Sequence, residues 1–296
     1  MKQKIFALGF CDGVHVGHQA LLAACCRMAE KRAAMACAHT FDLPPSAVLQ
    51  NLQPNMINTC DDRRKLLHAY GIGPIYIDGT TREGLCRTWE EFLEELVSYG
   101  AVGFVCGADY RFGKNGAGNA EKLAEFAEKR GFLWEIVPEQ KMDGEKISST
   151  RIRECLETGD LQKANQLLGH PHMLTGAVVP GQKLGRTIGS PTANLHLPEE
   201  LLTPAFGVYA CTTELDGKKY VAVTNIGKRP TVDGQNVTVE PWILDYSGDL
   251  YGREITLHFH KFLRPERKFS GLGELKMQIQ EDAAAALRLL RYKEYS

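Results

Sequence analysis

Up to about residue 168, short apolar runs alternate with stretches of helical spacing. The runs Ile5–Phe10, Ala34–Thr40, Ile75–Asp78, Val102–Cys106 and Leu133–Val137 predict strands. His18–Arg32, Asp61–Tyr70, Thr88–Ser98 and Ala120–Arg130 predict helices between them. Gly71, Gly100 and Gly131 stand where helices should end in left-handed caps. This alternation implies a doubly wound parallel sheet with sites at the strand C-termini. After about residue 172 the period changes. Leu174–Val179, Val208–Leu215, Tyr220–Ile226, Val237–Tyr246 and Glu254–Phe262 predict a second, antiparallel set of strands. Asp216-Gly217 is a hairpin signal, and Leu272–Tyr292 has helical spacing. This half reads as an antiparallel β-barrel with a closing helix. Two short helices over Ser148–Leu168 lead to the boundary, with Gly169 and Pro171 as punctuation. The chain thus divides into 1–170 and 171–296.

Composition narrows this picture. A chain of 296 residues fits two domains and can bury a core without disulfides or metals. Its 35 basic and 36 acidic residues nearly cancel, which argues against a broad surface for nucleic acid or an anionic membrane. A small phosphate site remains open, since it needs only a few donors. The nine cysteines include no C-x-x-C, and most sit in apolar runs such as Met35-Ala36-Cys37-Ala38. Buried, reduced thiols in a cytoplasmic protein explain that pattern. Cys11 is the exception, the one thiol beside a candidate site. Lys2 and Lys4 before Ile5–Cys11 imitate a signal peptide, but the run stops at Asp12 with no small-residue cleavage site, so it reads as a buried strand. No segment approaches the roughly 18 apolar residues of a membrane span. The oligomeric state is not legible.

The first candidate chemistry follows the first strand, in Gly9-Phe10-Cys11-Asp12-Gly13-Val14-His15-Val16-Gly17-His18. Gly9, Gly13 and Gly17 let the backbone approach a ligand, and the helix N-terminus offers unpaired N–H groups to an anion. Imidazole donors from His15 and His18 can stabilise charge on a transferring phosphoryl or nucleotidyl group. The second candidate is Gly181-Gln182-Lys183-Leu184-Gly185-Arg186-Thr187-Ile188-Gly189, with glycine at every fourth position. With Lys183, Thr187 and Arg186 such a loop could cover a polyphosphate. Thr192 and Asn194 of the following Pro191-Thr192-Ala193-Asn194 are hard oxygen donors on one face of an extended segment, suited to Mg²⁺ beside substrate phosphates. There is no Walker A motif, because each Gly-Lys pair is followed by Asn115, Lys219 or Arg229.

The H-x-G-H segment resembles the α/β nucleotidyltransferases in which both histidines contact nucleotide phosphates. That resemblance implies a later phosphate-binding element, and Ile147-Ser148-Ser149-Thr150-Arg151-Ile152-Arg153 fits it. Ser148, Ser149 and Thr150 would serve as hydroxyl donors and caps, with Arg153 as a fork for phosphate. Pro191-Thr192-Ala193-Asn194 is similar to the signature of riboflavin kinases, as are Gly207-Val208-Tyr209, Asn225–Thr231 and Leu263–Phe269. Together the halves resemble prokaryotic bifunctional riboflavin kinase/FAD synthetases. The resemblance implies that riboflavin plus ATP gives FMN in the C-terminal half. FMN plus ATP would then give FAD and pyrophosphate in the N-terminal half.

By that resemblance Glu240 is the general base for the ribityl hydroxyl, while Thr192 and Asn194 hold Mg²⁺ between ATP phosphates. Gly181, Lys183, Gly185 and Thr187 bind ATP, and Arg264 touches flavin or nucleotide or is a surface cation. Asp109 and Phe112 belong to a loop, Gly107–Gly113, that borders both substrates of the adenylyl transfer. Cys11 replaces the family's phenylalanine before Asp12-Gly13, and Tyr110 replaces another. Leu43-Pro44-Pro45 lacks the histidine the family carries between two prolines, near the flavin side of the site. Two alternatives therefore stand beside the bifunctional reading. One is a riboflavin kinase with a weak or altered adenylyltransferase half, the other a non-enzymatic flavin or nucleotide sensor.

Overall fold

The computed structural model describes residues 2–180, 190–231 and 234–291, with 229–231, 234–236 and 291 described by their backbone alone. The chain separates into two compact units, Met1–Ser149 and Thr150–Ser296.

In the first unit, β1 (Lys4–Leu8), β2 (Met35–Phe41), β3 (Ile75–Asp78), β4 (Ala101–Gly107) and β5 (Leu133–Val137) form a sheet of order β3-β2-β1-β4-β5. All its pairings are parallel. β1 is central and covered on both faces, so its apolar residues run continuously instead of alternating: Ile5, Phe6, Ala7 and Leu8 are all buried. One face packs on α1 (Val16–Arg32) and α3 (Cys60–Ala69). The other packs on α4 (Trp89–Ser98) and α5 (Ala120–Lys129). Thr88 starts α4 with a complete capping box closed by Glu91. Gly71, Gly100 and Gly131 do adopt left-handed φ of 85°, 97° and 66°. The periodicity missed α2 (Pro45–Gln50), which is too short to show a period.

All nine cysteines are unpaired. Cys25, Cys37 and Cys106 fill the two cores. Cys11 does so as well: it packs with Leu22 and Val105, and burial pushes its thiol up to about 12. Its position beside the candidate site is therefore a packing position, not that of a reactive thiolate.

The second unit opens with α6 (Ser149–Thr158, its first residue still in unit one) and α7 (Leu161–Leu168), which ends at Gly169 with φ 75°. Then come β6 (His172–Val179), β7 (Asn194–His196), β8 (Gly207–Leu215), β9 (Lys218–Thr231), β10 (Gly234–Ile243) and β11 (Glu254–Arg264). They close into an antiparallel barrel of order β6-β7-β10-β9-β8-β11. α8 (Leu272–Arg291) seals one wall, laying Ala283, Ala286 and Leu290 on Val208, Ala210 and Val223. Both halves therefore have the architecture the hydrophobic pattern implied. The three-residue β7 escaped the pattern because it is shorter than any period can reveal.

Candidate functional sites

In the first unit the strand order reverses between β1 and β4. An open α/β sheet binds ligands in the crevice outside the strand ends at that point. A cleft of about 420 Å³ lies there, reached by Gly9 and Phe10 after β1 and by Gly107, Ala108 and Asp109 at and after β4. The connection from β1 to α1 is tightly bent, with Cys11, Gly13 and Val14 at φ 56°, 80° and 41°. Strain of this kind persists only where surroundings enforce it. Here the buried Asp12 carboxylate accepts the Ile57 N–H at 3.0 Å and the Asn58 N–H at 3.3 Å, tying the bend to the segment before α3.

That bend delivers the histidines. His15 is the N-cap of α1, and its Nδ1 accepts the His18 N–H at 3.3 Å. The neutral ring must then carry its proton on Nε2. The two rings stack with centroids 3.7 Å apart and planes 17° apart. A Cβ at Gly17 would lie 3.1 Å from the His15 ring, so glycine is what allows the ring to fold back there. Burial lowers His15 to about 4 and holds His18 well below the ordinary imidazole value. Both rings are neutral at pH 7.

Ser148 and Ser149 line the same cleft, and the Ser149 hydroxyl donates to the Asp12 carbonyl at 2.9 Å. Thr150 and Arg153 lie on the first turns of α6, which starts at Ser149. Asp109 faces the cleft and is paired with Lys146. Phe112 is instead buried in the core, 5.5 Å from Phe92 and behind the cleft-lining Tyr110, with which it stacks. Sequence reading missed Lys146, which pairs with both Asp109 and Glu139 at the cleft wall. It reaches the cleft through a two-residue hairpin, Lys141–Met142 with Glu145–Lys146, that no pattern announced. Its only signal was a cation directly before Ile147-Ser148-Ser149. In the divergent Leu43-Pro44-Pro45 turn, Pro45 lines the cleft, and Thr80 and the Leu43 N–H bond to the Asp42 carboxylate. Burial alone would raise Asp42, but the Thr80 hydrogen bonds hold it below the usual carboxylate range.

In the barrel, Leu195 pairs with Val239 and both are buried. Side chains alternate across a strand, so Asn194 and Glu240 share the opposite face. The Ala193 N–H extends the pairing to the Pro241 carbonyl at 2.9 Å. Asn225 on β9 lies directly across from Glu240. Three neighbouring strands thus bring Asn194, Glu240 and Asn225 together. Thr192 is exposed and lines a recess of about 670 Å³ with Tyr246 and Asp249; Asn194 lines another of about 640 Å³. Arg264 is committed elsewhere, its guanidinium gripping the buried Asp282 of α8 at 2.8–3.1 Å. Gly181, Lys183, Gly185 and Thr187 lie outside the described residues. Among the described residues, no three His, Cys, Asp or Glu side chains are grouped so as to hold a metal.

A switch-point cleft with neutral donors at a helix N-terminus, joined in one chain to a barrel with a carboxylate between amides, defines an enzyme with two phosphate-directed transferase sites. The comparisons agree. A family model of FAD synthetase matches residues 1–151, and one of riboflavin kinase matches residues 168–290. The bifunctional riboflavin kinase/FMN adenylyltransferase of Listeria monocytogenes is 37% identical over 94% of this chain and 90% of its own length. Its namesake in Bacillus subtilis is 32% identical over 97% and 92%. The chain belongs to the bifunctional riboflavin kinase/FMN adenylyltransferase family. A solved structure described as a macrolide-efflux protein from Streptococcus pneumoniae shares the fold, with TM-score 0.87 and 32% identity over 96% of this chain and 94% of that one. Among the described residues here, no helix is long and apolar enough to cross a membrane.

Proposed function

We propose that the chain converts riboflavin to FMN on its barrel unit and FMN to FAD on its α/β unit, using ATP twice. In the second reaction an FMN phosphate oxygen forms a bond to the α-phosphorus of ATP. The bond from that phosphorus to the bridging oxygen breaks, and pyrophosphate leaves. The nucleophile is already an anion, so no base is required. The observation that carries this half is the stacked, neutral His15–His18 pair at the start of α1. Neutral rings present N–H donors without adding a fixed charge that must be desolvated, and donors aimed at developing charge lower the barrier. Ser148, Ser149 and Lys146, which line the cleft, serve the ATP phosphates. Asp109 holds Lys146 in place before substrate enters.

In the kinase half Glu240 takes the proton from the ribityl hydroxyl while its oxygen attacks the γ-phosphorus of ATP and ADP leaves. By chemical type Thr192 and Asn194 suit a hard cation, a hydroxyl and an amide oxygen, with Asn194 on the Glu240 face and Thr192 lining the neighbouring recess. We assign them to Mg²⁺, which neutralises phosphate charge when bound. Arg264 acts through α8, fixing the helix to the barrel by way of Asp282. A cytoplasmic location is supported by nine unpaired cysteines. The absence of a histidine from the Leu43-Pro44-Pro45 turn beside the cleft favours a second reading, in which FAD synthesis is weak. Supplying FMN, ATP and Mg²⁺ and separating the flavins by chromatography tests the first: FAD is expected, and its absence would leave only the kinase.

A further inference from the structure

Among the described residues, Arg63 is the largest fully buried side chain. It projects from α3 to the strand ends beneath the cleft. One Nη donates to the carbonyls of Phe41 and Asp42, the latter at 3.2 Å. The guanidinium carbon lies 4.4 Å from the centroid of the Phe10 ring. The other nitrogen, Nη1, is buried without a partner. A buried guanidinium ordinarily faces a carboxylate, because removing an unpaired charge from water is costly. Here no carboxylate pairs with it directly. Asp12 accepts from Ile57 and Asn58, Asp42 accepts from Thr80 and Leu43, and Asp62 lies 3.6 Å from Lys65.

If Arg63 served only to tie β2 to α3, a neutral donor would suffice for two carbonyls. A retained charge with no direct ion pair can be shared with a counter-charge that arrives from outside. The cleft on the far side of Phe10 is the place for one, since Phe10 and Phe41 line it together with His15 and His18. The field of Arg63 already reaches His18, where it adds to burial and to His15 in keeping that ring neutral.

We propose that Arg63 is a positioning residue for the adenylyl-transfer site. Its buried positive charge lies under the cleft floor, behind Phe10, and supplies part of the counter-charge for the substrate phosphates while its fork fixes the Phe41–Asp42 strand end. The proposal rests on the FMN-adenylylating reading of this cleft. It differs from direct phosphate binding in that Arg63 never touches substrate.

The test uses the full chain and its own second activity as a control. Initial rates of FAD formation from FMN are measured against ATP for wild type, Arg63→Gln and Arg63→Lys, with riboflavin phosphorylation measured alongside. FAD formed by wild type validates the reading independently of Arg63; none formed would sink that reading and leave Arg63 nothing to position. Arg63→Gln should raise KM for ATP by roughly tenfold or more, while Arg63→Lys, which keeps the charge and loses the fork, stays within about threefold of wild type. Riboflavin phosphorylation should be unchanged in both. A wild-type KM in Arg63→Gln would overturn the proposal. So would equal impairment of both variants, because packing rather than charge would then be the cause. Should Arg63→Gln fail to fold, Arg63→Lys decides alone: a rise in KM of about tenfold would overturn the proposal.

Discussion

In the proposed adenylyl transfer His15 and His18 act as neutral donors, because burial disfavours their charged forms. Replacing His15 with alanine removes both the N-cap acceptor and one donor. FAD formation should fall by about 10²-fold or more, while FMN formation persists. The barrel holds a third depressed histidine: His172 is fully buried, neither ring nitrogen has a partner, and burial takes it down to about 3. Unfolding returns His172 and His15 to about 6.5, so the unfolded chain binds more protons as pH drops below that value. Stability should therefore fall from pH 6.5 towards 4. Calorimetric melts at pH 7 and pH 5 check this, and His172→Leu should lose less Tm on acidification than wild type. An equal loss would remove His172 from the explanation. At this scale the histidine pair was legible, because its spacing and its place after the first strand announce a helix start. Lys146 and Arg63 were not. Lys146 reaches the cleft wall through a hairpin, and Arg63 reaches the strand ends beneath it across a helix–strand packing.

The elements show why particular glycines sit where they do. A Cβ at Gly17 would press on the His15 ring at 3.1 Å, so Gly17→Ala should reduce FAD synthesis by about tenfold with little change in melting temperature. Gly113 has φ 69°, and a Cβ there would stand only 2.6 Å from backbone atoms of Trp89. Gly113→Ala should therefore destabilise the first unit by about 2–4 kcal/mol in denaturant titrations. The Arg264–Asp282 pair is mostly buried, and Asp282→Asn would leave a guanidinium poorly compensated. Loss of about 3 kcal/mol from the barrel unit is expected by the same measurement. Strands and helices of the α/β half were legible nearly end to end, because each must bury a continuous run or one stripe. What could not be read was where a motif side chain points: Arg264 turns to α8, and Phe112 turns into the core.

For the whole molecule, the two units have separate cores, and the proposed function assigns one reaction to each. Single substitutions should therefore divide the activities. Glu240→Gln should reduce FMN formation by about 10²-fold or more and leave FAD formation from supplied FMN intact, the mirror image of His15→Ala. The near-zero net charge fits this arrangement, since phosphate recognition is local to each site. The Leu43-Pro44-Pro45 turn makes the second step the critical one. A time course with riboflavin, ATP and Mg²⁺, resolved by chromatography of the flavins, addresses it most directly. FMN should appear first and FAD should follow, with one pyrophosphate released per FAD. FMN accumulating to completion with no FAD would contradict the account.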